Sequence, residues 1–194
     1  VVIIGAGGIA AQHADVIAAD TGAELVGVVS RSAERAREFA GARGARGYTS
    51  VADAVSAEHP DIAVVCTESA LHGDAAIEAL GLGLHVLVEK PLEVTLDRID
   101  DIAAAQRAAD RIVGVVSQHR FDAATERAQA AISAGELGRI TSGVVSLALW
   151  RDQAYYDSGA WRGTWALDGG GALMNQGIHG VDVLLALMGD AVEV

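Results

Sequence analysis

Val1-Val2-Ile3-Ile4-Gly5-Ala6-Gly7-Gly8-Ile9-Ala10 opens the chain, and its reading decides the fold. Four β-branched residues in a row suit a strand buried on both faces, as in a parallel sheet. The G-x-G-x-x-A pattern that follows fits a strand-to-helix turn: Gly5 permits the tight turn, Gly7 lets a pyrophosphate reach the backbone, and Ala10 allows the helix to pack closely on the strand. Ile9, His13, Val16 and Ile17 then recur at helical spacing. A helix starting here points its amides and the positive end of its dipole at an anion. The expected site comprises Gly5, Gly7, Gly8, Ile9 and Ala10, binding a dinucleotide; a structural turn without ligand is the alternative.

Further short runs rich in Val and Ile lie at Leu25 to Val29, Ile62 to Cys66, His85 to Val88 and Ile112 to Val116. Ala-rich stretches with helical spacing separate them, one of them (Leu96, Ile99, Ile102) preceded by a candidate cap at Thr95. This alternation predicts an α/β fold, a doubly wound parallel sheet, over residues 1–117. After Arg120 the rhythm changes. A helix from about Asp122 to Ala134 is expected to stop at Gly135, and Arg139 to Trp150 reads as one long strand. Val145, Leu147 and Leu149 form its apolar face; Ser142, Val144, Ser146 and Trp150 form a mixed face, for a ligand or a partner subunit. Residues 118–194 are expected to begin an α+β domain with an open, largely antiparallel sheet. A single strand makes no sheet, so this domain is expected to be incomplete, as the absence of an initiator Met suggests for the other end.

The chain has 194 residues, 51% of them hydrophobic, and 14 basic against 26 acidic residues give a formal charge of −12. Such a balance opposes general binding to nucleic acid or anionic membranes. No apolar run approaches the roughly 20 residues of a membrane-spanning helix. Cys66 is the only cysteine, which excludes an intrachain disulfide and a cysteine-based zinc site. A reducing, cytoplasmic setting fits best, with a removed export signal not excluded. No metal site is expected.

Three segments are expected at the carboxyl edge of the sheet, where open α/β folds bind ligands. The second strand ends in Ser30-Arg31-Ser32, where NAD-selective sites usually carry a carboxylate for the ribose hydroxyls. Its absence removes repulsion against a 2′-phosphate, and Arg31 can pair with one, so NADP is favoured and NAD remains compatible. The alternative makes Arg31 a solvated surface residue and Ser30 a helix cap. Thr67 and Ser69, in Thr67-Glu68-Ser69-Ala70-Leu71-His72, are either cofactor contacts or helix caps, and His72 is either a cofactor contact or a helix residue bonded to a backbone carbonyl. Glu89-Lys90-Pro91 closes the set: proline restricts Lys90 to an extended conformation, and a cis peptide there would aim its side chain into the cleft.

Downstream, Gly169-Gly170-Gly171 leads a helix in which Asn175, His179 and Asp182, spaced four and then three apart, are expected to share one face. A histidine with an ordinary pKa of roughly 6.5 trades protons near neutral pH. His179 is either that group or a buried helix histidine, and Asp182 reads as support for it. Tyr155, Tyr156, Trp161, Arg162 and Trp165 crowd the preceding loop in a chain only 4% aromatic. Aromatic faces stack on sugar rings and Arg162 suits a carboxylate or phosphate, although a subunit interface would use the same residues. Gln118, His119 and Arg120 leave the last strand of the first domain, to line a cleft or fix domain orientation.

The glycine turn, the Thr67-x-x-x-x-His72 segment, Glu89-Lys90-Pro91 and the Gly169 to Asp182 helix, in that order, resemble the Gfo/Idh/MocA oxidoreductase family. The resemblance covers nearly the whole chain. It implies a Rossmann domain followed by an open-sheet substrate domain, a pyridine nucleotide cofactor, a polyhydroxylated small-molecule substrate, and a dimer or tetramer. Carried over residue by residue, Lys90 and His179 would be catalytic: Lys90 touching the nicotinamide ribose and the reacting hydroxyl, His179 relaying the proton directly or through Lys90. Ser30, Arg31, Thr67, Ser69, His72, Glu89 and Lys90 would join the glycine turn in holding the cofactor. Lys90, Arg120, Trp161, Arg162, Asn175 and His179 would contact substrate. Many members carry Asp four residues before the histidine; Asn175 stands here and cannot accept a proton.

The reaction expected is hydride transfer between nicotinamide and a secondary hydroxyl or keto group of a sugar, cyclitol or nucleotide sugar. A glycoside hydrolase using NAD for transient oxidation, and a non-catalytic dinucleotide-sensing regulator, are the alternatives within the same fold.

Overall fold

The computed structural model describes residues 1–193 and divides into two compact units, Val1–Val116 and a second beginning at Ser117. The first unit alternates strands and helices: β1 (Val2–Ile4), α1 (Gly8–Ala19), β2 (Gly27–Val29), α2 (Ala33–Gly41), β3 (Arg46–Tyr48), α3 (Val51–Glu58), β4 (Ile62–Val65), α4 (His72–Gly81), β5 (His85–Val88), α5 (Leu96–Ala109) and β6 (Val113–Val115). The strands form one parallel sheet in the order β3-β2-β1-β4-β5-β6. That order reverses direction beside β1, which places the ligand crevice of a doubly wound fold at the end of β1.

Alternate residues of the central strands feed two apolar layers. Val2, Ile4, Val65, Val86 and Val88 pack with Ala54, Ala76, Ala79 and Leu80, while Ile3, Val64 and Cys66 pack with Ala10 and Ala14 of α1. Alanine dominates the helical side, so helices and sheet approach closely, which is what Ala10 at 0% exposure achieves beneath the glycine turn. Thr95 caps α5 as expected, its hydroxyl accepting from the Arg98 N–H. β3 carries no apolar run and was not legible as a strand. Gly47 makes it possible: a Cβ there would lie 2.5 Å from the backbone of Ala36 and Arg37 in α2.

The second unit holds α6 (Ala123–Ser133), α7 (Gln153–Asp157), α8 (Trp165–Asp168), a π-helical turn (Ala172–Gly177) and α9 (Ile178–Met188). Two expectations need correction. Arg139 to Trp150 forms no strand, and no antiparallel sheet exists among the described residues, because no second strand among them pairs with this segment. The predicted alternation nevertheless survives in its side chains. Val145 and Leu147 are 41% and 45% exposed and lie against α9 at Gly180, where a Cβ would come within 2.7 Å of either, whereas Val144 is 92% exposed. The single α-helix expected from Asn175 to Asp182 is the second correction: its first part is a π turn, with i→i+5 hydrogen bonding, so the i, i+4 rule holds only from Ile178 onward. No strand forms after Met188 in the residues described, and Val194 lies outside them.

Candidate functional site

The turn after β1 is shaped as its sequence requires. Gly5 has φ +116°, and a Cβ on it would sit 2.5 Å from the Cys66 carbonyl oxygen, so the chain leaves β1 in contact with the end of β4. Gly7 is the N-cap of α1 and makes no side-chain cap; a Cβ on Gly7 or Gly8 would meet nothing within 4 Å. The start of α1 therefore offers uncapped amides in front of open space, with no acidic residue in the first turn to occupy them. Ile9 is partly exposed beside it and Ala10 is buried beneath.

Around this turn the carboxyl ends of the neighbouring strands bring the expected residues. The Ser30 hydroxyl accepts from the Ser32 N–H at 3.4 Å, and it is Ser32, not Ser30, that caps α2. Arg31 donates from Nη2 to Glu68 Oε1 at 2.8 Å. Thr67 caps no helix; its Oγ1 is a buried oxygen with no hydrogen-bond partner among the described residues, next to the point where Gly5 touches the Cys66–Thr67 peptide. A buried orphan hydroxyl beside an uncapped, glycine-lined helix start fits a polar, phosphate-bearing ligand. Ser69 is buried at the start of a short 3-10 turn.

His72 lies inside the protein rather than on this surface. Its Nδ1 is 2.7 Å from the Pro91 carbonyl oxygen and its Nε2 is 3.1 Å from that of Thr67. Burial pushes its pKa below the ordinary imidazole value against the opposing pull of the two carbonyls. The ring thus ties the loop after β4 to the Lys90-Pro91 segment, which contains a cis peptide. Glu89 is also buried: His13 Nε2 lies 2.7 Å from its Oε1, and its Oε2 accepts from the Lys90 N–H at 3.2 Å. Burial, assisted by the same carboxylate, raises the pKa of the Cys66 thiol strongly, so Cys66 is held as the inert thiol. Neither His13 nor Glu68 was picked out from sequence, since their partners lie 76 and 37 residues away.

In the second unit Asn175 is buried in the π turn, and its Nδ2 donates to Asp168 Oδ1 at 2.9 Å. The other Asp168 oxygen accepts from the Gly163 N–H at 2.8 Å. Asp168 is 1% exposed and was overlooked; its place directly before the three glycines was the only signal. Asp182 is bound by Arg120 through both carboxylate oxygens, the closest contact 2.6 Å from Nη2, and the guanidinium holds the carboxyl below its usual range. His179 meets the ring of His119 edge to face at 4.9 Å, and His119 Nδ1 lies 2.7 Å from Asp122. Asn175 and Asp182 thus serve different partners, and Arg120 is engaged with α9.

The aromatic loop forms a compact set. Arg162 stacks 4.4 Å from the Tyr155 ring and 4.6 Å from that of Trp161, and it donates from Nη1 to the Tyr155 hydroxyl at 2.8 Å. Its Nε is buried with no hydrogen-bond partner among the described residues. Arg151 stacks on the same Tyr155 ring at 5.2 Å and reaches Gln176, whose own amide donates to the Tyr155 hydroxyl at 3.2 Å. Two guanidinium groups around one tyrosine form a cationic and aromatic cluster.

Two family models match the chain: one described as "Oxidoreductase family, NAD-binding Rossmann fold" over residues 1–117, and one described as the GFO/IDH/MocA C-terminal domain over residues 125–194. Among curated relatives, the 1,5-anhydro-D-fructose reductase of Ensifer adhaerens is 32% identical over 190 residues, covering 97% of this chain and 56% of that protein. The D-glucoside 3-dehydrogenase of Escherichia coli is 28% identical over 191 residues, covering 97% and 54%. Among solved structures, the WlbA dehydrogenase from Bordetella pertussis in complex with NADH and UDP-GlcNAcA superposes with a TM-score of 0.87 at 34% identity, covering 97% of this chain and 54% of that one. The chain spans about half the length of the relatives it matches.

Proposed function

The chain belongs to the Gfo/Idh/MocA oxidoreductase family, and from that premise we propose that it transfers a hydride between a nicotinamide cofactor and a secondary hydroxyl or keto carbon of a sugar, cyclitol or nucleotide sugar. The observation that carries this reading is Lys90. It follows the buried, doubly engaged Glu89 at the carboxyl end of β5, on the same sheet edge as the glycine turn.

When bound, the nicotinamide supplies the hydride chemistry at carbon; the chain's own groups handle the oxygen and its proton. The Lys90 ammonium stabilises negative charge developing on the reacting oxygen. His179 accepts the hydroxyl proton in oxidation and returns it in reduction. Asn175 commits its amide NH2 to Asp168, and its carbonyl oxygen, which accepts from the Gln176 amide at 3.5 Å, has a second lone pair with which to accept from a substrate hydroxyl. Trp161 stacks on the substrate, and Arg162 with Arg151 takes a carboxylate or phosphate on it, a role supported by the two guanidinium groups gathered on the Tyr155 ring. Arg120 acts by fixing Asp182 and so α9.

For the cofactor, Gly5, Gly7, Gly8, Ile9 and Ala10 receive the pyrophosphate, Thr67 offers its hydroxyl, and Ser69, His72 and Glu89 hold the loops on which Thr67 and Lys90 stand. NADP is favoured with NAD accepted, because Ser30-Arg31-Ser32 brings a cation and no carboxylate to the end of β2. We place the protein in the cytoplasm as a homo-oligomer. The single cysteine and the unpaired, apolar Val144 to Trp150 segment support those two statements respectively. No helix of the described residues is long and apolar enough to cross a membrane.

The test is turnover of NADPH and NADH against a panel of neutral, uronic and phosphorylated sugars, with and without Lys90→Ala. Wild-type turnover that Lys90→Ala abolishes, while the variant still binds cofactor in a fluorescence titration, supports the proposal. Undiminished turnover in the variant overturns the role of Lys90. Release of sugar from an aryl glycoside without net cofactor reduction identifies the hydrolase instead, and cofactor binding without turnover on any sugar identifies a sensor.

A further inference from the structure

Arg31 and Glu68 extend from the two strands that flank β1, Arg31 just after β2 and Glu68 just after β4. Their ion pair at 2.8 Å therefore joins the carboxyl ends of those strands on either side of the Gly5 to Gly7 turn. Glu68 follows directly on the Cys66–Thr67 peptide against which Gly5 packs, and its side chain is 25% exposed, whereas the Arg31 side chain is 82% exposed. The acid is thus the more enclosed partner and the guanidinium the more accessible one.

We propose that Glu68 sets the balance between NADP and NAD at this site, by holding Arg31 and by placing a carboxylate where a 2′-phosphate approaches. This rests on the reading that Arg31 faces the adenosine ribose. In NAD-selective doubly wound folds a carboxylate at the end of β2 accepts from the ribose hydroxyls and repels the phosphate. β2 of this chain lacks that carboxylate, and β4 supplies one from the other side of β1. Two consequences follow from charge alone. A 2′-phosphate must displace Glu68 from Arg31 and then lie near a negative group, which weakens NADP. A ribose with two hydroxyls meets an acceptor in Glu68 and requires no displacement, which preserves NAD. Glu68 thereby keeps a site that has an arginine, and no acid, on β2 open to both cofactors.

The experiment is fluorescence titration of the purified protein with NADPH and NADH for wild type, Glu68→Gln, Glu68→Ser and Arg31→Ala, at two salt concentrations. Removing one exposed ion pair and one repulsive charge is expected to raise the NADPH-to-NADH affinity ratio about fivefold or more in both Glu68 variants. The gain should shrink at high salt. An unchanged or lowered ratio in both Glu68 variants overturns the proposal. Arg31→Ala tests the underlying reading separately: it should weaken NADPH and leave NADH within about twofold. If Arg31→Ala behaves so while the Glu68 variants leave the ratio unchanged, Arg31 reads the phosphate and Glu68 does not set the balance. If Arg31→Ala leaves NADPH binding intact, the assignment of Arg31 itself fails and the proposal falls with it.

Discussion

Asn175 donates its side-chain amide to Asp168 at 2.9 Å inside the second unit, and that bond decides which way the amide faces. The carboxylate that many family members place four residues before the histidine is missing from Asn175. A carboxylate is nevertheless present behind it, buried at Asp168 and shared with the Gly163 N–H. Both Asp168 oxygens act as acceptors, so the orientation of Asn175 is imposed by its neighbour.

Asp168→Ala should lower stability by about 2–3 kcal/mol, because it removes an acceptor from both the Asn175 amide and the Gly163 N–H in a buried site. Asp168→Asn keeps the volume but offers only one acceptor oxygen. It should cost less stability in urea denaturation yet turn the Asn175 amide over and cut turnover. Asp168→Asn with wild-type turnover would show that the orientation of Asn175 does not matter to the reaction.

Gly7 and Gly5 separate ligand from fold. A methyl at Gly7 meets no protein atom within 4 Å and the residue has φ −100°, so Gly7→Ala should leave the melting temperature nearly unchanged. The same methyl enters the space a pyrophosphate would fill, and cofactor affinity should fall by about tenfold or more. Gly5→Ala adds a Cβ at 2.5 Å from the Cys66 carbonyl at a φ of +116°, and should destabilise the fold itself by about 2 kcal/mol or more. Calorimetry alongside cofactor titration reads both, and equal melting temperatures for the two variants would contradict the assignment.

Arg120 holds the Asp182 carboxyl below its ordinary pKa of about 3.9, so the folded state binds that proton more weakly than the unfolded chain does. The stability gained is complete above the unfolded value and is lost as the pH falls through the lowered, folded one. Wild type should therefore lose stability in the acid range below about pH 4 more steeply than Asp182→Asn, with the difference between them constant from about pH 5 upward. Chemical denaturation across that range measures it; parallel curves for the two proteins would remove Asp182 as a source of the acid sensitivity.

Five of the six strands, the glycine turn, the Thr95 cap and the stop of α6 at Gly135 were legible because each is written in a few adjacent residues. An apolar run, a hydroxyl before a helix and a glycine at positive φ are local choices that hold before the chain meets itself. β3 escaped because Arg46-Gly47-Tyr48 has no pattern of its own. Its strand exists through pairing with β2 and the room Gly47 leaves for α2. The reading of Arg139 to Trp150 failed for the complementary reason, since alternation can be complete within a segment while hydrogen bonding needs a second strand.

The same division runs through the candidate site. The sequence alone determined the parallel α/β unit and the dinucleotide turn, and it singled out Lys90, Asn175 and His179 as the candidates for chemistry. Only the tertiary structure decided what holds them: His13 on Glu89, Asp168 on Asn175, Arg120 on Asp182 and Glu68 on Arg31. Residue identity fixes what a side chain is able to donate or accept. Which partner comes within 3 Å of it depends on strand order and helix packing across sequence separations of up to 76, and no local pattern carries that information.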